Sequence, residues 1–179
     1  MIITDEKILR SPCSDAEESE VGHIVELLEL ELKNSARLGR PGVGLAAPQI
    51  GILKKVAIVR LGNNGYNDMS VNLINCNIEK GYDKKKFRDE GCLSYPGRIE
   101  NTLRYQEIYV KNNLIFPKSF IATGLFAVVC QHELDHLNNI LLPDVALPKN
   151  DKLIVKPGPN DKCYCNSGKK YKKCCSLKK

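Results

Sequence analysis

The chain has 179 residues, enough for one domain of about 100 to 150 residues and a short extension. Hydrophobic residues make up 42% and charged residues 27% of it, which excludes a chain that is disordered throughout. No segment approaches the roughly 20 apolar residues of a membrane helix, and the N-terminal segment lacks the apolar run of a signal peptide. We therefore expect a cytoplasmic protein with no membrane partner.

The formal net charge of +6 is concentrated at the C-terminal end. From residue 161 onward there are seven lysines and one acidic residue, so residues 1–160 carry 20 basic and 20 acidic groups and sum to zero. Four of the eight cysteines lie in the same segment. The other four are scattered singly, which indicates reduced thiols rather than disulfide bonds.

The predicted elements begin with an amphipathic helix over about residues 14–35. Its apolar residues follow a helical period and are Val21, Ile24, Val25, Leu28 and Leu32. His23 lies in this helix without a metal-spaced neighbour, so we expect it on the surface.

Short strands separated by Gly, Asn and Lys turns are predicted next, and they are residues 55–61, 70–81, 104–112 and 116–124. A second helix over residues 124–138 follows, and a proline-rich connector leads on from it. Strands bracketed by two helices predict an α+β domain with a mostly antiparallel sheet.

The second helix contains an H-E-x-x-H string. His132 and His136 are four residues apart, so at about 100° per residue they share one face of the helix and can bind one metal ion. Glu133 is then placed to reach a water on that ion rather than the ion itself. Taken alone, the string fits equally well a helix whose two histidines have no function.

The third metal ligand is not decided by this string. Position 142 is Leu where a metzincin has histidine, and no glutamate follows Glu133, which disfavours a thermolysin-like site. Asp144, Asp151 and the upstream Cys92 remain candidates. Cys130 lies about 200° or more around the helix from the histidines and is expected in the core. A Cys-His-His site with an open fourth position is typical of catalytic metal centres.

Three segments, in this order, resemble the motifs of the peptide deformylase family: GVGLAAPQ at 42–49, EGCLS at 90–94 and QHELDH at 131–136. The resemblance covers about residues 1–147. It implies mostly antiparallel sheets packed around the HExxH helix. The implied activity is metal-dependent hydrolysis of the N-formyl group from N-formylmethionine of newly made polypeptides, which releases formate.

The resemblance implies roles for six residues: the metal ligands Cys92, His132 and His136, the general base Glu133, and two oxyanion donors, the Gln49 side chain and the Leu93 backbone N–H. The metal would lower the pKa of its water, and the base would take the proton as hydroxide attacks the formyl carbon. The family favours Fe²⁺, with Ni²⁺, Co²⁺ or Zn²⁺ as substitutes.

Substrate-binding positions are predicted in two places. The backbone of Val43 and Gly44 can pair with a peptide that adds as a strand, because a glycine-rich edge permits close approach. Leu125, Val128 and Val129 share a helix face with the histidines and are predicted to form part of an apolar pocket for methionine. Each of these three fits an ordinary core position equally well.

The C-terminal segment resembles the SEC-C motif, a small zinc module, through Cys163, Cys165, Cys174 and Cys175. Tyr164 and Asn166 stand where that motif usually has Pro and Gly. Zinc would supply the folding free energy that so short a segment lacks. The surrounding lysines favour an anionic partner, for which we expect ribosomal RNA. The alternative is a basic, disordered tail with incidental cysteines.

The chain is thus predicted to comprise a catalytic domain at 1–147, a linker at 148–160 and a zinc-binding module at 161–179. Two other functions were weighed. A general metallopeptidase is disfavoured by the upstream cysteine and the missing downstream glutamate. An adaptor built on a degraded enzyme fold is disfavoured because the site residues are intact, namely Gln49, Cys92, His132, Glu133 and His136.

Overall fold

The computed structural model describes residues 1–62, 69–114, 118–148, 159–160 and 169–173. The chain divides into two compact units, Met1–Ala146 and Leu147–Lys179. Within the described ranges, no helix is long and apolar enough to cross a membrane. The four tail cysteines, Cys163, Cys165, Cys174 and Cys175, and most of the predicted linker lie outside the described residues, so the linker and the zinc module stay predictions.

The first unit contains, in chain order, α1 (Glu6–Leu9), α2 (Glu18–Arg37), β1 (Gly44–Ala46), a 3-10 helix (Ala47–Ile50), β2 (Val56–Leu61), β3 (Met69–Ile74), β4 (Asn77–Gly91), β5 (Ile99–Lys111), β6 (Ser119–Thr123), α3 (Gly124–Leu137) and α4 (Leu142–Val145). In the second unit the 3-10 turn Tyr171–Lys173 is described. Helix α2 begins four residues later than predicted, where the Glu20 carboxylate accepts a hydrogen bond from the Glu17 backbone N–H at 2.9 Å. His23 is exposed, as predicted.

The strands form two antiparallel sheets, each three-stranded and in chain order: β1-β2-β3 and β4-β5-β6. In the second sheet, β4 and β5 form a long ladder that runs from the Asn77–Lys111 pair to the Gly91–Ile99 pair. This ladder contains a β-bulge between Phe87 and Glu90. The predicted α+β class with antiparallel sheets is confirmed.

Helix α3 contacts strands of both sheets. Its buried apolar residues occupy every side of the helix, as expected for a helix that is surrounded by protein, and they are Phe126, Ala127, Val128, Val129, Cys130, Leu134 and Leu137. Cys130 is fully buried in the cluster that α3 forms with the sheets, which confirms its predicted core position. A second cluster packs α2 against the first sheet.

The single strand predicted at 70–81 is wrong. The chain forms β3 and β4 there, in different sheets, and the break falls at Asn75, whose φ is 52°. The Asn75 side chain binds both backbone groups of Ala16: its amide nitrogen donates to the carbonyl at 3.0 Å, and its oxygen accepts from the N–H at 2.9 Å. Asparagine tolerates this left-handed conformation, so the chain can turn from one sheet into the other.

Candidate active site

Three possible metal ligands converge at the end of β4. Cys92 follows that strand directly, and His132 and His136 project from successive turns of α3. Their ligand atoms all lie within 4.8 Å of one another, and within the described part of the chain no other group of Cys, His or acidic side chains is arranged to hold one ion. The Cys92 Sγ lies 3.2 Å from His136 Nε2. One thiolate and two imidazoles suit a transition metal such as zinc or ferrous iron.

His132 is oriented by a buried acidic group. Its Nδ1 lies 2.7 Å from Glu90 Oε1, which leaves Nε2 to face the cluster. Burial alone would raise the pKa of Glu90, but hydrogen bonds from His132 and Arg104 outweigh burial and lower that pKa to about 2. Burial and the neighbouring His132 lower the pKa of His136 well below its ordinary value, so its imidazole is neutral, the form that binds metals.

Arg104 compensates the charge of Glu90. Its Nε donates to Oε2 at 2.9 Å and its Nη2 to Oε1 at 2.6 Å, while Nη1 donates to Asp135 Oδ2 at 2.6 Å. The Thr102 hydroxyl donates to Glu90 at 2.6 Å. Arg104 is only 4% exposed, so these charges are held away from solvent. This group was not predicted from the sequence, because Arg104 is one polar residue in an alternating strand and nothing local marks it as buried.

Glu133 follows His132 on α3, and its carboxylate packs against the backbone of Gly44. A Cβ at Gly44 would overlap Oε1 and lie 2.9 Å from Cδ. The Oε2 atom is buried and has no hydrogen-bond partner among the described residues. Burial raises the pKa of Glu133 to about 7. A buried carboxylate oxygen without a partner is costly unless water or a ligand meets it.

Gln49 is held in a defined orientation. The Ala46 backbone N–H donates to its Oε1 at 2.9 Å, so its amide nitrogen faces the other way. That nitrogen donates to Ser94 Oγ at 3.1 Å and lies 3.6 Å from Cys92 Sγ. A side-chain N–H donor is thus fixed beside the three possible metal ligands.

These groups line a cavity of about 500 Å³. The predicted site residues in its lining are Val43, Gly44, Gln49, Cys92, Leu93, Leu125, Val128, Val129, His132 and Glu133. His136 is outside this lining and almost completely buried. Val128 is buried, whereas Leu125 is 53% exposed and lies at the rim. The apolar surface, the buried Glu133 carboxylate, Cys92 and His132 therefore share one cleft, with His136 buried behind it.

The sequence profile of the polypeptide deformylase family matches residues 1–152, and that of the SEC-C motif matches residues 160–177. The chain belongs to the polypeptide deformylase family. It is 38% identical over 125 residues to a peptide deformylase of Prochlorococcus marinus, and the aligned region covers 68% of this chain and 62% of the relative. It is 42% identical over 106 residues to peptide deformylase 1 of Pseudomonas syringae pv. tomato, and the aligned region covers 58% of this chain and 62% of the relative. The chain thus spans about 62% of the length of these relatives.

Solved deformylase structures have the same fold. The Thermotoga maritima peptide deformylase matches with a TM-score of 0.67 at 28% identity, over 83% of this chain and 97% of that one. The Synechococcus elongatus peptide deformylase, solved in complex with actinonin, matches with a TM-score of 0.70 at 29% identity, over 83% of this chain and 79% of that one. The fold predicted from the three motifs is therefore that of the deformylase family.

The cleft has further lining residues that were not predicted from the sequence, among them Phe87, Tyr95 and Ile99. Phe87 and Glu90 are three residues apart, so on a regular strand their side chains would point to opposite faces. Both line the cleft, because the β-bulge between them adds a residue to β4. No local sequence pattern locates such a bulge.

Proposed function

We propose that this chain hydrolyses the N-formyl group of N-formylmethionine at the start of newly made polypeptides and releases formate. The observation that carries the proposal is the cluster of Cys92, His132 and His136, two of which line an apolar cleft together with the buried Glu133 carboxylate. Membership of the deformylase family supports it.

Cys92, His132 and His136 would hold the catalytic metal, which we propose to be Fe²⁺, with Ni²⁺, Co²⁺ or Zn²⁺ as substitutes. The donor set fits such an ion, and Glu90 fixes the His132 ring so that Nε2 is available. When bound, the ion supplies Lewis-acid chemistry: it polarises a carbonyl oxygen and lowers the pKa of water.

Glu133 is the proposed general base. Its carboxylate is buried in the cleft next to the proposed ligands. Its Oε2 atom makes no hydrogen bond to any described residue, so this oxygen is free to accept a proton. In the proposed reaction it takes the proton of the attacking water and then transfers it to the departing methionine nitrogen.

Two N–H donors would stabilise the negative charge that develops on the formyl oxygen. The Gln49 amide is fixed by the Ala46 N–H and faces the cleft beside Cys92. The backbone N–H of Leu93 is the second proposed donor, and Leu93 lines the same cleft. Donors that are oriented before the reaction need no rearrangement as the charge forms.

The substrate would lie along β1, with its backbone against Val43 and Gly44 and its methionine side chain in the apolar part of the cleft. Leu125, Val128 and Val129 are the proposed pocket wall on α3. Enlarging Val128, as in Val128→Phe, should raise KM for formyl-methionyl peptides without loss of bound metal. Unchanged kinetics would remove Val128 from the pocket.

For the C-terminal segment we propose a zinc module at 161–179, joined through a linker at 148–160 to the catalytic domain at 1–147. The SEC-C match and the four cysteines at 163, 165, 174 and 175 support zinc, and the seven lysines support contact with ribosomal RNA in the cytoplasm. Full-length protein should co-sediment with ribosomes in a salt-sensitive manner, and a chain ending at residue 160 should not. Equal sedimentation of the two chains would contradict this role.

The test of the main proposal is formate release from a formyl-methionyl tripeptide. Protein is prepared without oxygen, loaded with Fe²⁺ or Ni²⁺, and compared with Glu133→Ala carrying the same metal content. We expect release by the wild-type protein and a near-complete loss in the variant. Cleavage of the peptide bonds instead would favour a metallopeptidase, and no reaction by metallated protein would favour an adaptor role.

A further inference from the structure

A peptide that joins β1 can leave the cleft in one direction only. On one edge β1 pairs with β2. Beyond Gly44 the chain turns into the core, where Leu45, Ala46 and Ala47 are fully buried, whereas Val43, on the other side, is 42% exposed. Given the proposed function, the formylated end lies beside Glu133 and Gly44. The rest of the peptide must therefore run antiparallel to β1, past Val43 toward Arg40.

A second cavity, of about 430 Å³, begins where this path leads. It is lined by Met1, Ile2, Glu31, Asn34, Ser35, Arg37, Leu38 and Arg40. Arg40 lines the deformylase cleft as well, so the two cavities meet at this residue. The backbone of Arg40 is anchored there, because its N–H donates to the Ser35 carbonyl at 2.9 Å and its carbonyl accepts from the Ser35 hydroxyl at 2.6 Å.

The junction carries unpaired positive charge. The guanidinium groups of Arg37 and Arg40 have no hydrogen-bond or ion-pair partner in the part of the chain that the structure describes. The one carboxylate in the second lining, that of Glu31, lies 2.8 Å from the Met1 amino group. In the larger cavity, Arg98 is paired with Glu100 at 2.7 Å. Asp89 also lines the larger cavity, but it contributes from β4, whereas the charge of the 37–40 segment comes from Arg37 and Arg40.

We propose that Arg40 makes the enzyme prefer polypeptides with an acidic residue about three to five positions after the methionine. β1 begins at Gly44, so Arg40 lies outside the strand, but four residues of chain span at most about 14 Å, a distance that an extended substrate covers in about four residues. Pro41 has no backbone N–H to donate, so backbone hydrogen bonds contribute less to substrate binding there, and the charge of the substrate side chain sets the preference. Arg37 adds to the attraction from the end of α2.

The test compares formyl-Met-Ala-Ala-Ala-Glu-Ala with the same peptide carrying Lys in place of Glu. For the wild-type enzyme we expect kcat/KM to be roughly two- to five-fold higher for the Glu peptide at low salt, as for one exposed ion pair, and the ratio to approach one at high salt. Arg40→Ala should bring the ratio close to one, with only the weaker attraction of Arg37 left, and Arg40→Glu should reverse the preference. Lys33→Ala, which removes an exposed α2 charge outside both linings, should keep it.

A formyl-methionyl tripeptide separates this inference from the proposed function, because it is too short to reach Arg40. Because Arg40 also lines the catalytic cleft, the readout is the Glu-to-Lys ratio within each protein, and any general loss of activity, which the tripeptide measures, cancels from that ratio. Equal rates on the Glu and Lys peptides by an enzyme that cleaves the tripeptide would overturn the preference and leave the deformylase activity standing. A preference that persists in Arg40→Glu would overturn it as well. Failure on every formyl peptide would overturn the proposed function, and the preference with it.

Discussion

At the residue scale, the position of the Glu133 carboxylate explains why the third residue of the GVGLAAPQ segment, Gly44, is a glycine. The Glu133 carboxylate occupies the space that any side chain at position 44 would need. The glycine therefore serves two purposes, a close approach for the substrate backbone and room for the proposed general base.

Gly44→Ala should displace the Glu133 carboxylate and lower kcat by about ten-fold or more, because small errors in the position of a catalytic group are costly. The metal content should stay at the wild-type level, since the three atoms nearest to a Cβ at position 44 all belong to Glu133, which is not a proposed ligand. Steady-state formate release with metal analysis on the same samples measures both. Gly22→Ala is the matched control: no atom lies within 4 Å of a Cβ there, so activity should be unchanged and α2 should gain about 0.5–1 kcal/mol.

Arg104 helps to orient His132 indirectly, because it holds Glu90, which in turn binds the His132 ring. Arg104→Leu would leave the buried Glu90 carboxylate with its hydrogen bonds to His132 and Thr102 but without its guanidinium partner, and removing one partner of a buried ion pair costs about 3–5 kcal/mol of unfolding free energy. We also expect weaker metal retention, because Glu90 would no longer be held against His132. Urea unfolding and metal content after dialysis against a weak chelator test the two effects.

The comparison for Arg104 is Lys85→Ala, which breaks the exposed Lys85–Asp83 pair of the same hairpin and should cost less than about 1 kcal/mol. Losses of similar size in the two variants would show that burial of the Glu90–Arg104 pair is not what makes it important.

At the scale of elements, Asn75 is where the chain leaves one sheet for the other. Asn75→Gly should lose the two hydrogen bonds to Ala16 and keep the backbone conformation, whereas Asn75→Ala should lose the bonds and also strain the left-handed φ of 52°. We expect the Ala variant to be less stable than the Gly variant by about 1 kcal/mol, the cost of a left-handed residue with a Cβ. Denaturant midpoints of the three proteins measure the difference, and equal midpoints for the two variants would assign the whole cost to the lost bonds.

At the scale of the first unit as a whole, Met1–Ala146, an ion pair joins two elements far apart in sequence. Arg10, just after α1, donates to Asp144 of α4 at 2.8 Å. The hydrogen bond from Arg10 holds the pKa of Asp144 below its ordinary value, with a further contribution from the Leu141 backbone N–H. A depressed carboxyl pKa stabilises the fold above the unfolded-state value of about 4, and the stabilisation is lost as pH falls through the lower folded value.

Asp144→Asn should therefore lower the thermal midpoint at pH 7, and the gap to the wild-type protein should narrow as the pH falls below about 4. Thermal unfolding by circular dichroism between pH 2.5 and pH 7 tests the trend. A gap that is constant across this range would mean that the charge of Asp144 does not contribute.

The sequence by itself determined the features that depend on local spacing. The apolar period predicts α2 and α3, and the four-residue spacing of His132 and His136 puts them on one face whatever surrounds the helix. The three ordered motifs predict the family and its α+β fold. Periodicity within one element is a property of that element's own geometry, so it can be read before the fold is known.

Tertiary structure alone decided which distant residues meet. Arg104 pairs with Glu90, and Phe87 lines the cleft, because of sheet register and a bulge. That Cys92 lies beside His132 and His136 was implied only by the family resemblance, since local spacing left Asp144 and Asp151 open as well. The single strand predicted at 70–81 was wrong because the break at Asn75 depends on hydrogen bonds to Ala16, 59 residues away. Contacts across such separations arise from how elements pack, and no local pattern of residues encodes that packing.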